Sequence, residues 1–259
     1  MKLTTKSIAL VAIFAALYYV VSLVSPFIPA VGVPEITIKL EALLASIFGM
    51  LMGPYLGSLT AFIGAFVTWI LPPSGGISYG MPFLVAPPLN ALVVGFIFYK
   101  KWKYAFVTLI SLIAVFWFLP PSQPLSEFWY IGFAATWDKI IALALIFPVV
   151  KLAEIKSMKL QPLFYFLLAF IGNQADNMGG TDVFAVPLVY ERIFGYSNLQ
   201  EVRILFVVSP FIYPAIRIIQ SIIVSVIAVP VIRAFESSDL IPIKDSIVGF
   251  LTKTRNSRL

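Results

Sequence analysis

PFLVAPPLNALVVGFIFYKKWK, residues 82–103, decides what kind of protein this is. The run Pro82–Tyr99 holds one strongly polar side chain, Asn90, and stops against Lys100, Lys101 and Lys103. A helix of roughly 20 residues crosses a hydrocarbon core about 30 Å thick. Lys and Arg collect in the cytoplasmic loops that follow such helices. Working outward, the same pattern repeats. Lys2 and Lys6 precede the first apolar run, Lys151, Lys156 and Lys159 follow the sixth, and Arg233, Lys244, Lys253, Arg255 and Arg258 follow the last. The intervening loops carry only Lys39, Arg192 and Arg203. Thirteen cations therefore fall on one face and three on the other, with Lys139 and Arg217 inside spans to complete the 18.

The sequence predicts an all-α, polytopic transmembrane bundle with both termini cytoplasmic. Eight spans are read: Thr5–Val24, Ile36–Met52, Pro54–Leu71, Pro82–Tyr99, Tyr104–Leu119, Ile131–Val150, Pro162–Gln174 and Phe211–Phe235. The whole chain, 1–259, forms one membrane domain, with 236–259 as a cytoplasmic tail. Charged residues make up only 12% of the chain, about half the share of a soluble domain. The net charge of +6 therefore belongs to one membrane face and its anionic lipids, not to nucleic acid. The first apolar stretch lacks a small-residue cleavage site and reads as a retained helix rather than a signal peptide.

Three outer loops carry structure of their own. Ser25–Ile36, SPFIPAVGVPEI, has three prolines and predicts an extended path. Pro72–Gly80, PPSGGISYG, is uncharged. Ala175–Arg203 is the longest, with an interfacial helix at Pro187–Phe194. Leu205–Phe235 is too long for one span, and Pro210 and Pro214 break its outer part.

Charge and amide groups inside hydrocarbon are costly, so each one is a candidate for function or pairing. Asp138, Arg217, Gln220, Asn90 and Asn173 all fall in the outer half of the membrane, with Asp176 just beyond. These six are the candidate substrate-binding residues, and Asp138 is the expected partner of Arg217. Snorkelling of Arg217 and Lys139, and helix-end capping by Asn173, are the plainer explanations. The chain has no His and no Cys, which removes thiolate chemistry, imidazole ligands and the usual general base. No metal site, catalytic group or P-loop is read, so no enzyme is expected.

Two further patterns concern packing. Gly49, Gly53, Gly57 and Gly64 line the hairpin KLEALLASIFGMLMGPYLGSLTAFIGAF, residues 39–66. Small residues of this kind let helix backbones approach closely in lipid, within one chain or between partners. Ala9, Ala12 and Ala16 lie along one face of the first helix.

The opening TTKSIALVAIFAALYYVVSLV, the extended loop after it and the G-P-x-x-G hairpin together resemble the substrate-binding (S) components of energy-coupling factor vitamin transporters. The likeness is clearest over Thr4–Gly95 and returns loosely at GNQADN, residues 172–177. Members commonly carry six spans, whereas eight are read here. The resemblance implies a subunit that captures a micronutrient from outside under its outer loops. It then docks to a membrane scaffold bearing ATPases, which consume the ATP, so no cofactor is expected in this chain. It also implies that Ala12 and Ala16 form the docking face. The substrate is not written in the sequence. The many aromatic residues suit a planar organic ligand, and Arg217 or Lys139 would suit its carboxylate or phosphate. The competing reading is a stand-alone secondary transporter of a small organic solute, which would need its own coupling-ion site.

Overall fold

The computed structural model describes residues 4–25, 27–30, 33–155 and 158–237. The expected tail beyond residue 237 lies outside them. The described chain is a bundle of helices with one short two-stranded hairpin. The helices are α1 (Thr5–Val24), α2 (Leu43–Ile70), α3 (Ala86–Phe98), α4 (Trp102–Phe118), α5 (Leu125–Glu154) and α6 (Gln161–Phe184). The shorter α7 (Pro187–Arg192) and α8 (Leu199–Val208) precede α9 (Tyr213–Ser237). The strands β1 (Phe27–Ala30) and β2 (Val33–Lys39) pair antiparallel between α1 and α2.

Two sequence boundaries are corrected. The span expected at Ile36–Met52 begins instead as β2, followed by a single 3-10 turn at Leu40–Ala42. Val33, Ile36, Thr37 and Ile38 are β-branched and favour a strand over a helix. The span expected to stop at Gln174 continues to Phe184. The polar run NQADNMGGTD looked like a loop, but it is helical, and Asn173 and Asp176 in it find partners on other helices. The expected outer loop from Ala175 is accordingly the end of α6, then α7 and α8. The expected interfacial helix is present as α7. The break at Pro210 and Pro214 is also present, as a 3-10 turn over Ser209–Phe211 between α8 and α9.

Among the described residues, five segments are long and apolar enough to cross a membrane: Thr5–Val24, Leu43–Ile70, Met81–Phe98, Leu125–Glu154 and Tyr213–Glu236. The apolar α4 is shorter, at 17 residues. The molecule's outer surface is correspondingly oily. Val24, Phe118, Val226 and Phe211 are among its most exposed side chains, as expected where lipid is the solvent.

By length α2 counts as one segment, yet the chain doubles back within it. Gly53 adopts φ +80 and ψ 176, a conformation essentially confined to glycine. Pro54 then starts the second arm at the position where its missing N–H costs nothing. The two arms touch directly. A Cβ added at Gly57 would lie 2.6 Å from the Phe48 carbonyl oxygen. Tyr18 of α1 packs against Phe48 of the first arm and Gly64 of the second. On the far side, a Cβ at Gly95 of α3 would lie 2.6 Å from Pro54 Cα. The glycine ridge read from the sequence is thus consumed by packing within the chain, on α1, α3 and the hairpin's own two arms.

Gly57→Val should be the most damaging conservative change in this region. Its β-branched side chain would meet backbone, which cannot swing aside, and overpacking of this kind costs about 1–3 kcal/mol. A lowered midpoint of thermal unfolding in detergent is expected, while Gly75→Val, where a Cβ meets open space, should lose only what its left-handed backbone requires.

Candidate functional site

One end of the bundle holds a cavity of about 330 Å³. Pockets for small organic molecules begin near this size. Its walls come from the C-terminal ends of α1, α2 and α6 and the N-terminal parts of α3, α5 and α9. The opposite ends of α3 and α5 carry Lys100, Lys101, Lys103 and Lys151, so the cavity opens away from the lysine-bearing turns.

The apolar wall is largely aromatic. Tyr18, Trp69, Tyr79, Phe83, Phe184 and Tyr213 all face the cavity. The loop after α2 is held in place by its own hydrogen bonds. Trp69 Nε1 donates to the Ile77 carbonyl at 2.8 Å, and the Gly76 N–H donates to the Trp69 carbonyl at 2.7 Å. Phe194, just past α7, packs its ring against Tyr79, Phe83 and Phe184, closing that corner. Arg203 anchors α8 below. It donates to the carbonyls of Pro121 and Gln123 and lies over the Phe128 ring at 3.3 Å. The cation assigned to a loop by sequence is therefore a buried clamp between α8 and the α4–α5 turn.

The polar wall has two buried ion pairs. Arg217 Nη1 of α9 lies 3.0 Å from Asp176 Oδ2 of α6 and donates to Gln220 Oε1 at 2.8 Å. Lys139 of α5 lies 2.8 Å from Asp138 Oδ1. The pairing expected from sequence, Asp138 with Arg217, is therefore not formed. Because α6 stays helical past Gln174, it brings Asp176 opposite α9, and Asp138 is taken by the lysine next to it. Arg217, Asp176 and Lys139 line the cavity; Asp138 stands behind Lys139.

Asn90 and Asn173 have a different place. Ser46 Oγ donates to Asn90 Oδ1 at 2.7 Å, and Asn90 Nδ2 donates to Asn173 Oδ1 at 3.0 Å. Asn173 Nδ2 donates to Ser221 Oγ at 3.0 Å, and Ser221 Oγ donates to the Arg217 carbonyl at 2.6 Å. This thread ties α2, α3, α6 and α9 together, and neither asparagine faces the cavity. Asn173 sits well inside α6, not at its end. Tyr18, Glu41 and Asn177 line the cavity without having been singled out from sequence. Glu41 was hidden inside an apparent span; its charge in that apolar run was the available signal.

On α1, Val11, Phe14, Ala15 and Tyr18 are buried, while Ala9, Ala12 and Ala16 are exposed on the other face. An open small-residue face and a glycine hairpin stand together in the first part of the chain, which also supplies Tyr18, Glu41 and Trp69 to the cavity. The model of the family described as the ECF-type riboflavin transporter, S component, matches residues 2–120. Over those residues, a little under half of its length, the chain is similar to that family. A UPF0397 protein of Streptococcus gordonii is 36% identical over 95 residues, which are 36% of this chain and 46% of that protein. The chain thus spans about half the length of that curated relative. No solved structure matches. The S-component match, with the apolar helices, makes this an integral membrane protein. The matched stretch supplies the Tyr18, Glu41 and Trp69 side of the cavity, whereas Lys139, Asp176 and Arg217 lie beyond it.

Removing one partner of a buried pair strands the other charge, at a cost of about 3–5 kcal/mol. Arg217→Met and Asp176→Leu should therefore each lower thermal stability strongly in detergent. The double variant should recover most of the loss, a non-additivity that a double-mutant cycle measures directly.

Proposed function

We propose that this chain is the substrate-capturing subunit of an ATP-driven importer. It takes a small vitamin-like molecule into the cavity from outside the cell and passes it inward after docking to a membrane scaffold with ATPase partners. The observation that carries this reading is the cavity itself, an aromatic-walled chamber with buried polar groups, roofed by the Pro72–Gly80 loop and the α7–α8 segment. A ring system would stack on Trp69, Tyr79 or Phe83, and its polar edge would meet the Asp176–Arg217 pair. Riboflavin, in the name of the matched family, is a molecule of this general kind. No metal or cofactor has a part in the proposal, and no reaction is assigned.

The orientation follows from the cation bias, with the lysine turns cytoplasmic and the cavity outside. With α2 doubled back at Gly53, the described chain runs along the bundle eight times, by α1, the two arms of α2, α3, α4, α5, α6 and α9. Ala12 and Ala16 form the docking face, since they leave α1 flat on its open side and small residues allow a partner helix to approach. Cysteines at Ser74 and Asn198 should react with an impermeant reagent in intact cells, and a cysteine at Lys103 should not; the reverse pattern would invert the assignment.

The Ala12→Leu, Ala16→Leu variant should retain ligand affinity in detergent and lose uptake in cells, because the change is on the lipid-facing side of α1, away from the cavity. Uptake at the wild-type rate in cells lacking any ATPase partner would instead favour the stand-alone secondary transporter, for which the buried carboxylate of Asp182 would be the coupling site.

A further inference from the structure

We propose that the lysine-bearing end of α4 and α5 binds the headgroup of an anionic phospholipid, whose acyl chains lie along the aromatic face between the two helices. Such a site is separate from the cavity and stands whether or not the cavity captures a solute.

The face is built from the start of α4 and the last turns of α5. The Trp102 ring meets Phe147 at 5.6 Å between centroids, and Phe106, one turn along α4, meets the same Phe147 at 5.7 Å. Phe147 is nevertheless 47% exposed, and Tyr104 and Val107 of α4 are 62% and 58% exposed. Lysines rim this face. Lys103 places its Nζ 6.0 Å from the Trp102 ring centroid. Lys101 precedes Trp102, and Lys151 lies one helical turn beyond Phe147 on the same side of α5. All three lysines are exposed. None of them has an ion-pair partner among the described residues, and Glu154, the nearest acid along α5, pairs with none of them.

Unpaired positive charges at the edge of an exposed aromatic face match a molecule with a negative head and an apolar tail. Lysines at a membrane surface attract anionic headgroups, and basic sites between helices hold lipids of that charge. Each lysine can lay its stem on apolar surface and keep its ammonium at the interface. Tryptophan favours that same depth. The length of α4 adds a reason for lipid to be held here. Its 17 residues span about 26 Å, less than the roughly 30 Å of a hydrocarbon core. A short element is accommodated by local thinning of the bilayer, which brings headgroups onto Lys101, Lys103 and Lys151. Other cations at this end lack the combination. Arg233 donates to Gln161 at 3.1 Å. Lys159, exposed on the turn before α6, has no ring contact among the described residues.

The test uses the full chain in phosphatidylcholine nanodiscs. A minor fraction of the lipid is replaced by phosphatidylglycerol, which is anionic, or by phosphatidylcholine, which has no net charge, each with brominated acyl chains. Bromine quenches tryptophan fluorescence at contact, and subtraction of the Trp102→Phe variant isolates the Trp102 signal. The expected result is a preference of about five-fold or more for brominated phosphatidylglycerol at Trp102, the effect of a single lysine at an anionic surface. The Lys101→Gln, Lys103→Gln, Lys151→Gln triple variant should lose that preference, and Lys159→Gln should keep it. Equal quenching by the two lipids, or a preference seen only at tryptophans other than Trp102, would overturn the site. So would a preference that survives in the triple variant; if uptake in cells is then lost, the lysines serve a protein partner instead. The two lipids are compared on wild-type protein and on Trp102→Phe, so the comparison stands even where the triple variant fails to fold.

Discussion

The hydrogen-bonded thread Ser46–Asn90–Asn173–Ser221 is the interaction on which the rest of the arrangement depends. Between helices in lipid there is little hydrophobic drive to fix how deep one lies against the next, because lipid tails are as apolar as the side chains. Directional bonds between amides and hydroxyls supply that constraint. The thread joins α2, α3, α6 and α9, and its last bond ends on the Arg217 carbonyl. Its link from Asn173 to α9 lies one helical turn from Asp176, so it sets the register that brings Asp176 against Arg217. Close backbone packing cooperates. Gly172 of α6 lies against Asn90 and Val94, and Gly179 against Leu89, so α6 approaches α3 as closely as a missing side chain allows.

The cavity follows from this register and from the unequal lengths of the elements. The first arm of α2 is short, and the chain ahead of it runs as β1, β2 and a 3-10 turn rather than as helix. The helix α3 likewise begins only at Ala86, after a 3-10 turn. At the cavity end, therefore, fewer helices contribute to the wall, and loops complete it. A chamber bounded partly by loops suits a ligand that must enter and leave, while the helix floor beneath, tied by the thread, stays fixed. The exposed alanine face of α1 lies on the outside of the same wall whose inner side is Tyr18. A partner on one side and a ligand on the other would therefore be separated by the width of a single helix, a short physical path for coupling the two events.

Much of the fold was legible in the chain. Apolar runs near 20 residues and the prolines at 210 and 214 each act through local physics, and each gave the right kind of element. The Gly53–Pro54 turn was also legible, because only glycine takes the reversal and proline opens the next arm. The errors lie where local polarity misleads. NQADNMGGTD has the composition of a loop, yet it is helix, with Asn173 bonded to Asn90 of α3 and Ser221 of α9 and Asp176 paired with Arg217 of α9. The stretch ahead of Leu43 is apolar enough for a span, yet it pairs as a strand.

For the site, sequence was enough to single out Arg217 and Asp176, since buried charges in an apolar chain are few and each needs a partner. It could not pair them. Which carboxylate meets which cation depends on helix rotation and depth, and those are set by contacts between residues 40 or more positions apart, such as Asn90 with Asn173. Nor could it separate Asn90, a structural link, from Glu41, a wall of the chamber, because both are simply polar residues in apolar surroundings. The one-dimensional chain determined most of the helices, the membrane as solvent and most of the buried charge. The tertiary structure alone decided how that charge is distributed, because the sign a cavity presents is the sum over side chains from several helices.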